Sequence, residues 1–368
     1  MAAPGITESP VRTVSPDTVP ALETVRRPVD ELLARFLAAR VAELDRLDAG
    51  LEPIGREVRE LVATGGKHLR PAFVYWGYRA TGAAHTDAVF APAAAVQLLH
   101  TFALLHDDVM DRSPERRGRP SAYAALADVH AREGLLGDSG WFGVGGAILA
   151  GDLAFVWADQ LFDESPLPAE VLARARRVFT TLRVEVMAGQ YLDLRLAGLP
   201  DASEDIALRV ALLKSGRYTV TRPLQMGAAI GGAGPALDDA LCRYGDAIGV
   251  AFQLRDDVLG LFGDPQATGK GDLDDLREGK RTVLILRTLG RCTTAQRAEL
   301  DRVLGRGDIS DGDAEIVREI VVDTGALDDV ETLIAEHREA AVTSLAGVDA
   351  VAADALTDLA DLAAYRVV

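Results

Sequence analysis

Asparagine is absent from this 368-residue sequence, and lysine nearly so: four lysines stand against 35 arginines, 39 basic residues less four. A GC-rich genome would favour such an exchange. The lysines kept at 67, 214, 270 and 280 therefore mark places where a compact ammonium serves better than a planar guanidinium. Cysteine is scarce as well. Cys242 and Cys292 cannot build a disulfide framework or a thiolate zinc site, and they fit a reduced, cytoplasmic setting. There is no run of 18 or more apolar residues, so no membrane span is expected. Positive charge is in deficit, with a net charge of −17 and a pI near 4.8, which argues against nucleic acid as a partner. Strand alternation, hairpin signals and short-period repeats are missing too. Residues 1–25, rich in Pro, Ser and Thr, lack the basic start and apolar core of a signal peptide and read as a disordered tail.

What remains is helical and apolar. Hydrophobic residues make up 48% of the chain, enough for a large core, and no internal linker divides it, so residues 26–368 read as one domain. Three- and four-residue apolar spacing predicts helices over 27–48, 53–63 and 86–111, then 146–163, 168–197, 203–217 and 235–262. Five shorter ones follow over 282–290, 294–304, 312–324, 328–345 and 349–365, with Gly325 as a C-terminal stop. Residues 134–145, glycine-rich, read as a mobile connection.

The chemistry concentrates at two helix ends. The apolar helix before Leu105 ends in Asp107-Asp108-Val109-Met110-Asp111. On an α-helix Asp107 and Asp111 stack one turn apart with Asp108 beside them. Three carboxylates this close repel unless a cation joins them, and an all-oxygen set suits Mg²⁺, which also takes water and substrate phosphate. A solvated acidic helix end is the ordinary alternative in so acidic a chain. A second apolar helix, however, ends in Phe252-Gln253-Leu254-Arg255-Asp256-Asp257. Two such ends facing each other could hold several Mg²⁺ ions around a polyphosphate. Lys67 and Arg70 flank the glycine pair Gly65-Gly66, Arg116 and Arg117 follow the first cluster, and Lys214-Ser215 interrupts an apolar helix. Each is a phosphate-binding candidate as well as an ordinary solvated or paired residue. Gln190 and Asp193 suit buried polar packing as well as catalysis.

Together these motifs resemble the trans-isoprenyl diphosphate synthases of the polyprenyl synthetase family, over about residues 27–366. The family's GGKxxRP is Gly65-Gly66-Lys67-His68-Leu69-Arg70-Pro71, its DDxxD is Asp107 to Asp111, and the lysines of its two later segments are Lys270 and Lys280. The resemblance implies an all-α isoprenoid-synthase bundle around a deep central cavity, a homodimer, and condensation of isopentenyl diphosphate with C5, C10 or C15 allylic diphosphates. It implies that Asp107, Asp108, Asp111, Asp256 and Asp257 hold Mg²⁺. Arg116, Lys214, Ser215, Gln253, Lys270 and Lys280 would then bind the allylic diphosphate, and Lys67, Arg70, His100 and Arg117 the isopentenyl diphosphate. One position departs from the pattern: the third Asp of the second motif is Gly260, and whether Asp264 compensates is open.

That departure admits a class I terpene cyclase as a rival, since Asp256, Gly260 and Asp264 have its second-motif spacing. Position 260 lacks the hydroxyl, no Asn exists, and a cyclase needs none of Lys67, Arg70 and Arg117. A non-enzymatic subunit of a heteromeric synthase is disfavoured by the intact first motif. Product length rests on the residues before Asp107. Helix geometry sets Ala103 about 40° from Asp107 and Phe102 about 140° away. A single aromatic five positions before the motif resembles the pattern of geranylgeranyl (C20) synthases, with Phe102 as the floor implied by the resemblance and a farnesyl (C15) product as the alternative.

Overall fold

Leu22, Val25, Val29, Leu33 and Leu37 recur at helical spacing and form the buried stripe of α1, Pro20–Leu47. This helix starts inside the stretch expected to be a disordered tail, because Leu22 and Val25 are wholly buried against the core. The folded unit therefore begins at or before residue 20 instead of 26. The structure is a computed structural model that describes residues 14–16, 19–199, 201–263 and 274–366. Most of the expected tail, residues 1–13, lies outside them, as do Asp264 and Lys270.

The chain continues through α2 (Glu52–Ala63), α3 (Leu69–Arg79) and α4 (Phe90–Met110). After α4 come α5 (Ala122–Glu133), α6 (Ser139–Asp163), α7 (Ala169–Ala197) and α8 (Glu204–Val210). A π-helix, Ala211–Thr221, leads into α9 (Arg222–Gly231) and α10 (Pro235–Phe262). One turn, α11 (Asp274–Arg277), precedes α12 (Val283–Arg291), α13 (Thr294–Val303), α14 (Asp311–Asp323), α15 (Ala326–Ser344) and α16 (Ala350–Tyr365). The fold is all-α, as expected. The exception among the described residues is a hairpin, β1 (Glu115–Arg116) and β2 (Arg119–Pro120), in the basic loop after α4. Its turn residues Arg117 and Gly118 both have positive φ, 55° and 70°, the two-residue geometry that matches strand twist.

The region 134–145 also differs from expectation: α6 begins at Ser139, capped by the Asp138 carboxylate, which accepts from Trp141 N at 2.6 Å. Two glycines of this helix, Gly143 and Gly151, allow close packing. A side chain on Gly143 would strike the Tyr123 carbonyl, and one on Gly151 would strike the His106 ring.

Two hydrophobic cores share α10. Its first half (Leu241, Tyr244, Ile248) joins the core of α1, α3, α4, α6, α7 and α9. Its second half (Leu254, Val258, Leu261) joins the core of α12 to α15. Neither α4 nor α6 is an uninterrupted apolar run, yet both are long and apolar enough to cross a membrane. In α4 the apolar window is 78% buried, as in a core helix; in α6 it is only 39% buried. Trp141, Leu149 and Val156 of α6, and Val184 and Tyr191 of α7, face outward.

Where α3 crosses α9, backbones touch. A Cβ on Gly77 would collide with the Leu224 carbonyl, and one on Gly227 with that of Val74. Gly77→Ala is expected to destabilise the protein by about 1–3 kcal/mol through overpacking. Gly290→Ala, exposed and with open space around its Cβ, should be neutral or stabilising by up to about 1 kcal/mol. Urea denaturation checks both; equal midpoints for the two variants would contradict the crossing geometry.

Candidate active site

A cavity of about 510 Å³ opens between the α2–α3 loop, the C-terminal ends of α4 and α10, α7, the π-helix and residues 280–283. Its walls bring together most of the residues singled out above. Lys67, Arg70, His100 and Arg117 lie on one side; Asp107, Arg116, Lys214, Ser215, Gln253, Asp256, Asp257 and Lys280 also belong to the polar lining, whereas Asp108 and Asp111 do not. Ala103, Val186, Ala207 and Val210 add an apolar section.

The last turns of α4 present the first acidic cluster as helical spacing requires. Asp107 faces the cavity, accepting from Gln190 Nε2 at 3.0 Å, with Lys214 Nζ 3.5 Å away. Asp108 is buried behind it, accepting from Arg116 Nε at 2.7 Å. Burial pushes Asp108 up to about 6 against the opposing pull of Arg116. Asp111 lies 3.5 Å from Lys280 Nζ; burial and then the charge of Asp107 raise its pKa. The hairpin turn separates two adjacent arginines: Arg116 turns to the carboxylates, and Arg117, at positive φ, donates to the Gly65 carbonyl and to Thr64 Oγ1.

The second cluster sits at the end of α10. Gln253, one turn before Asp257, donates to it at 2.8 Å, and burial raises Asp257 well above the usual carboxylate range. Asp256 accepts from Arg366 at 3.0 Å. Lys280 reaches the first cluster, with Nζ 3.5 Å from Asp111, and also lies 3.3 Å from Asp275 and 2.7 Å from Glu278. Burial alone would lower its pKa; Asp275, Asp111 and Glu278 outweigh that and raise it.

Lys214 reaches the cavity from the π-helix, a wide turn often found at functional sites. Gly189 on α7 makes this possible, since any side chain there would strike the Lys214 backbone. Lys214 Nζ donates to Asp193 Oδ2 at 2.6 Å. On the basic side, His68 anchors the glycine loop in a left-handed conformation, φ 51°. Its ring nitrogens sit 2.7 Å from the Gly66 carbonyl and 2.7 Å from Asp30 of α1. Arg70 lies over the Tyr218 ring, 4.5 Å from the centroid, and His100 Nδ1 is 3.1 Å from the Tyr218 hydroxyl. Burial, then Arg70, Arg117 and Arg116, pushes His100 well below its usual pKa, so the ring is neutral beside three cations.

Among the described residues, no three His, Cys, Asp or Glu side chains converge tightly enough to enclose an ion by themselves. The donor set still fits Mg²⁺, an ion usually held by one or two carboxylates with water and substrate phosphate. The carboxylates are all oxygen donors, and Asp108, Asp111 and Asp257 are desolvated beyond what their partners repay. Phe102 is placed away from the cavity. It packs edge-on against Phe155 (5.0 Å) and His106 (4.7 Å), behind the wall that Ala103 forms.

Asp193, left open from sequence between buried packing and catalysis, pairs with Lys214. Two contributors were not singled out from sequence. Asp275 lies in the acidic stretch before Lys280. Arg366 gave no local signal; its guanidinium is fully buried, donating to the carbonyls of Phe252 (3.2 Å) and Ala363 (2.7 Å) besides Asp256.

The polyprenyl synthetase family model matches residues 52–321. The chain is 33% identical over 298 residues to the geranylfarnesyl diphosphate synthase of Aeropyrum pernix, covering 80% of this chain and 87% of that one. It is 33% identical over 247 residues to the geranylgeranyl diphosphate synthase of Sulfolobus acidocaldarius, covering 67% and 69%. Among solved structures it superposes on the geranylgeranyl pyrophosphate synthase of Corynebacterium glutamicum complexed with isoprenyl diphosphate and magnesium, with a TM-score of 0.90, 36% identity, and coverage of 94% and 99%.

Arg366→Leu should remove one donor to Asp256 and the buried guanidinium's hydrogen bonds to the Phe252 and Ala363 carbonyls. Because the Asp256 side chain is 37% exposed, the expected loss is about 1–3 kcal/mol, below that of a fully buried pair. Arg291→Leu, removing the exposed Arg291–Asp329 pair, should cost under about 1 kcal/mol. Equal denaturation midpoints for the two variants would contradict a structural role for Arg366.

Proposed function

The chain belongs to the polyprenyl synthetase family, and we propose that it condenses isopentenyl diphosphate with C5, C10 and C15 allylic diphosphates. The condensation is head to tail and trans, gives chiefly geranylgeranyl diphosphate, and releases diphosphate. The carrying observation is one cavity with two separate cation sets, Lys67, Arg70 and Arg117 on one side and Arg116, Lys214 and Lys280 among the carboxylates on the other. That arrangement suits two diphosphates at once, whereas a cyclase needs one.

Magnesium, several ions held by Asp107, Asp108, Asp111, Asp256 and Asp257, would neutralise the leaving diphosphate. Arg116, Lys214, Lys280, Ser215 and Gln253 hold the same diphosphate and stabilise the charge that develops as the allylic C–O bond breaks. Lys270, outside the described residues, belongs to this set by its place in the motif. On the other side, Lys67, Arg70 and Arg117 grip isopentenyl diphosphate, and neutral His100 adds a hydrogen bond. The isopentenyl double bond then attacks the allylic carbocation, and holding both substrates makes that step effectively unimolecular. The proton lost afterwards goes to the departing diphosphate.

The growing chain runs along the apolar section past Ala103, Val186 and Val210. Phe102, braced by Phe155, closes the bundle behind it and sets the C20 limit. The outward apolar residues of α6 and α7, linked by the Arg183–Asp159 pair, are the face on which a second copy would pack to form a homodimer. The setting is cytoplasmic.

Incubation with Mg²⁺ and each allylic diphosphate, with and without isopentenyl diphosphate, tests the activity. Elongation should require both substrates; hydrocarbon from the allylic substrate alone would indicate a cyclase, and no reaction a subunit without catalysis of its own. In the dephosphorylated products, Ala103→Phe should shorten the chain to C15 and Phe102→Ala should extend it beyond C20. An unchanged distribution in both variants would remove this account of chain length. Light scattering should report a dimer for the native protein and a monomer for a Trp141→Glu/Leu149→Glu variant; a native monomer would overturn the α6–α7 interface.

A further inference from the structure

We propose that Asp275 supplies the third carboxylate of the second acidic cluster, across the chain from the position where Gly260 has none. The inference rests on the synthase reading, which makes that cluster a binding site for divalent cations and diphosphate. Asp256 and Gly260 stand one turn apart on α10, so a side chain at 260 would emerge beside Asp256. That space is already taken. A Cβ added to Gly260 would lie 2.7 Å from Asp275 Oδ2 and 3.7 Å from its carboxyl carbon. Both residues line the cavity with Asp256 and Asp257.

The intruding carboxylate is held in place. The backbone N–H of Lys280 donates to the Asp275 carbonyl at 2.9 Å, and Leu276 next to it is buried, with its carbonyl accepting from Gly305 N at 2.8 Å. Asp275 Oδ1 is 3.3 Å from Lys280 Nζ, the ammonium that also lies 3.5 Å from Asp111 of the first cluster. Asp275 is thus tied through one cation to the opposite motif, where an acidic group at position 260 would be needed. Glycine at 260 is then the residue that lets the acid from α11 enter, and the two positions exchange one function.

Four variants test this: Asp275→Ala, the near-isosteric Asp275→Asn, Gly260→Asp, and Gly260→Asp/Asp275→Ala. The principal readout is Mn²⁺ binding in the presence of inorganic diphosphate, by electron paramagnetic resonance, without turnover. Asp275→Ala and Asp275→Asn should each weaken Mn²⁺ binding about tenfold or more. Gly260→Asp alone should gain nothing, because two carboxylates would contend for one space. The double variant should return to within about threefold of native affinity, a non-additivity that only shared function produces. Native Mn²⁺ affinity in folded Asp275→Asn, or a double variant as weak as the sum of its parts, would overturn the proposal. Circular dichroism establishes folding, and should Asp275→Ala fail to fold, the Asn variant decides. Isopentenyl elongation by the native protein is measured alongside. Native elongation with an unaffected Asp275→Asn refutes only the role of Asp275. Exchange of Mn²⁺ affinity between 260 and 275 without elongation supports that role and refutes the synthase reading.

Discussion

Two helix ends carry aspartates into one partly desolvated cavity, and the charge this creates must be balanced. The balance comes from cations supplied by distant parts of the chain. Arg116 comes from a hairpin, Lys214 from a π-helix, Lys280 from the turn after α11, and Arg366 from the last described residue. Arg116 depends on a turn with positive φ at Arg117, Lys214 on the glycine at 189 beneath it, and Arg366 on the burial of its guanidinium. The compensation remains incomplete. Burial pushes Asp108 up to about 6 and raises Asp257 well above the usual carboxylate range, so the site is poised to take up more positive charge.

The same balance explains the division of the cavity. Cations among the carboxylates are committed to ion pairs, which a diphosphate arriving with metal would rearrange. The opposite lip is built on backbone. His68 ties the glycine loop to α1, and Arg117 closes on the Gly65 carbonyl. A loop anchored this way can present Lys67 and Arg70 to a second anion without drawing on the acidic side.

Most of this was legible in the sequence because helical spacing is strict. Gln253 and Asp257, four apart, had to share a face, and Gln253 donates to Asp257 at 2.8 Å. The scarcity of lysine made Lys67, Lys214 and Lys280 stand out, and all three line the cavity. Less legible were features set by tertiary approach. The hairpin at Glu115–Pro120 is too short to leave an alternation signal. The glycine at 143 read as flexibility but permits helix contact. The start of α1 was masked by the polar composition around it. Arg366 and Asp275 act through partners 110 and 15 positions away in sequence, so no local pattern could announce them. The helical angle rightly set Phe102 to one side of Asp107, and the structure places it behind Ala103, outside the cavity lining.

The central claim is that the acidic ends recruit metal and diphosphate together, each making the site fit for the other. Isothermal titration of the native protein with inorganic diphosphate, once in Mg²⁺ and once in a chelator, tests it most directly. The account predicts binding at least about a hundredfold tighter with Mg²⁺, a coupling of roughly 2.7 kcal/mol. Equal affinity in the two buffers would mean that the lysines and arginines bind the anion unaided, and would contradict it.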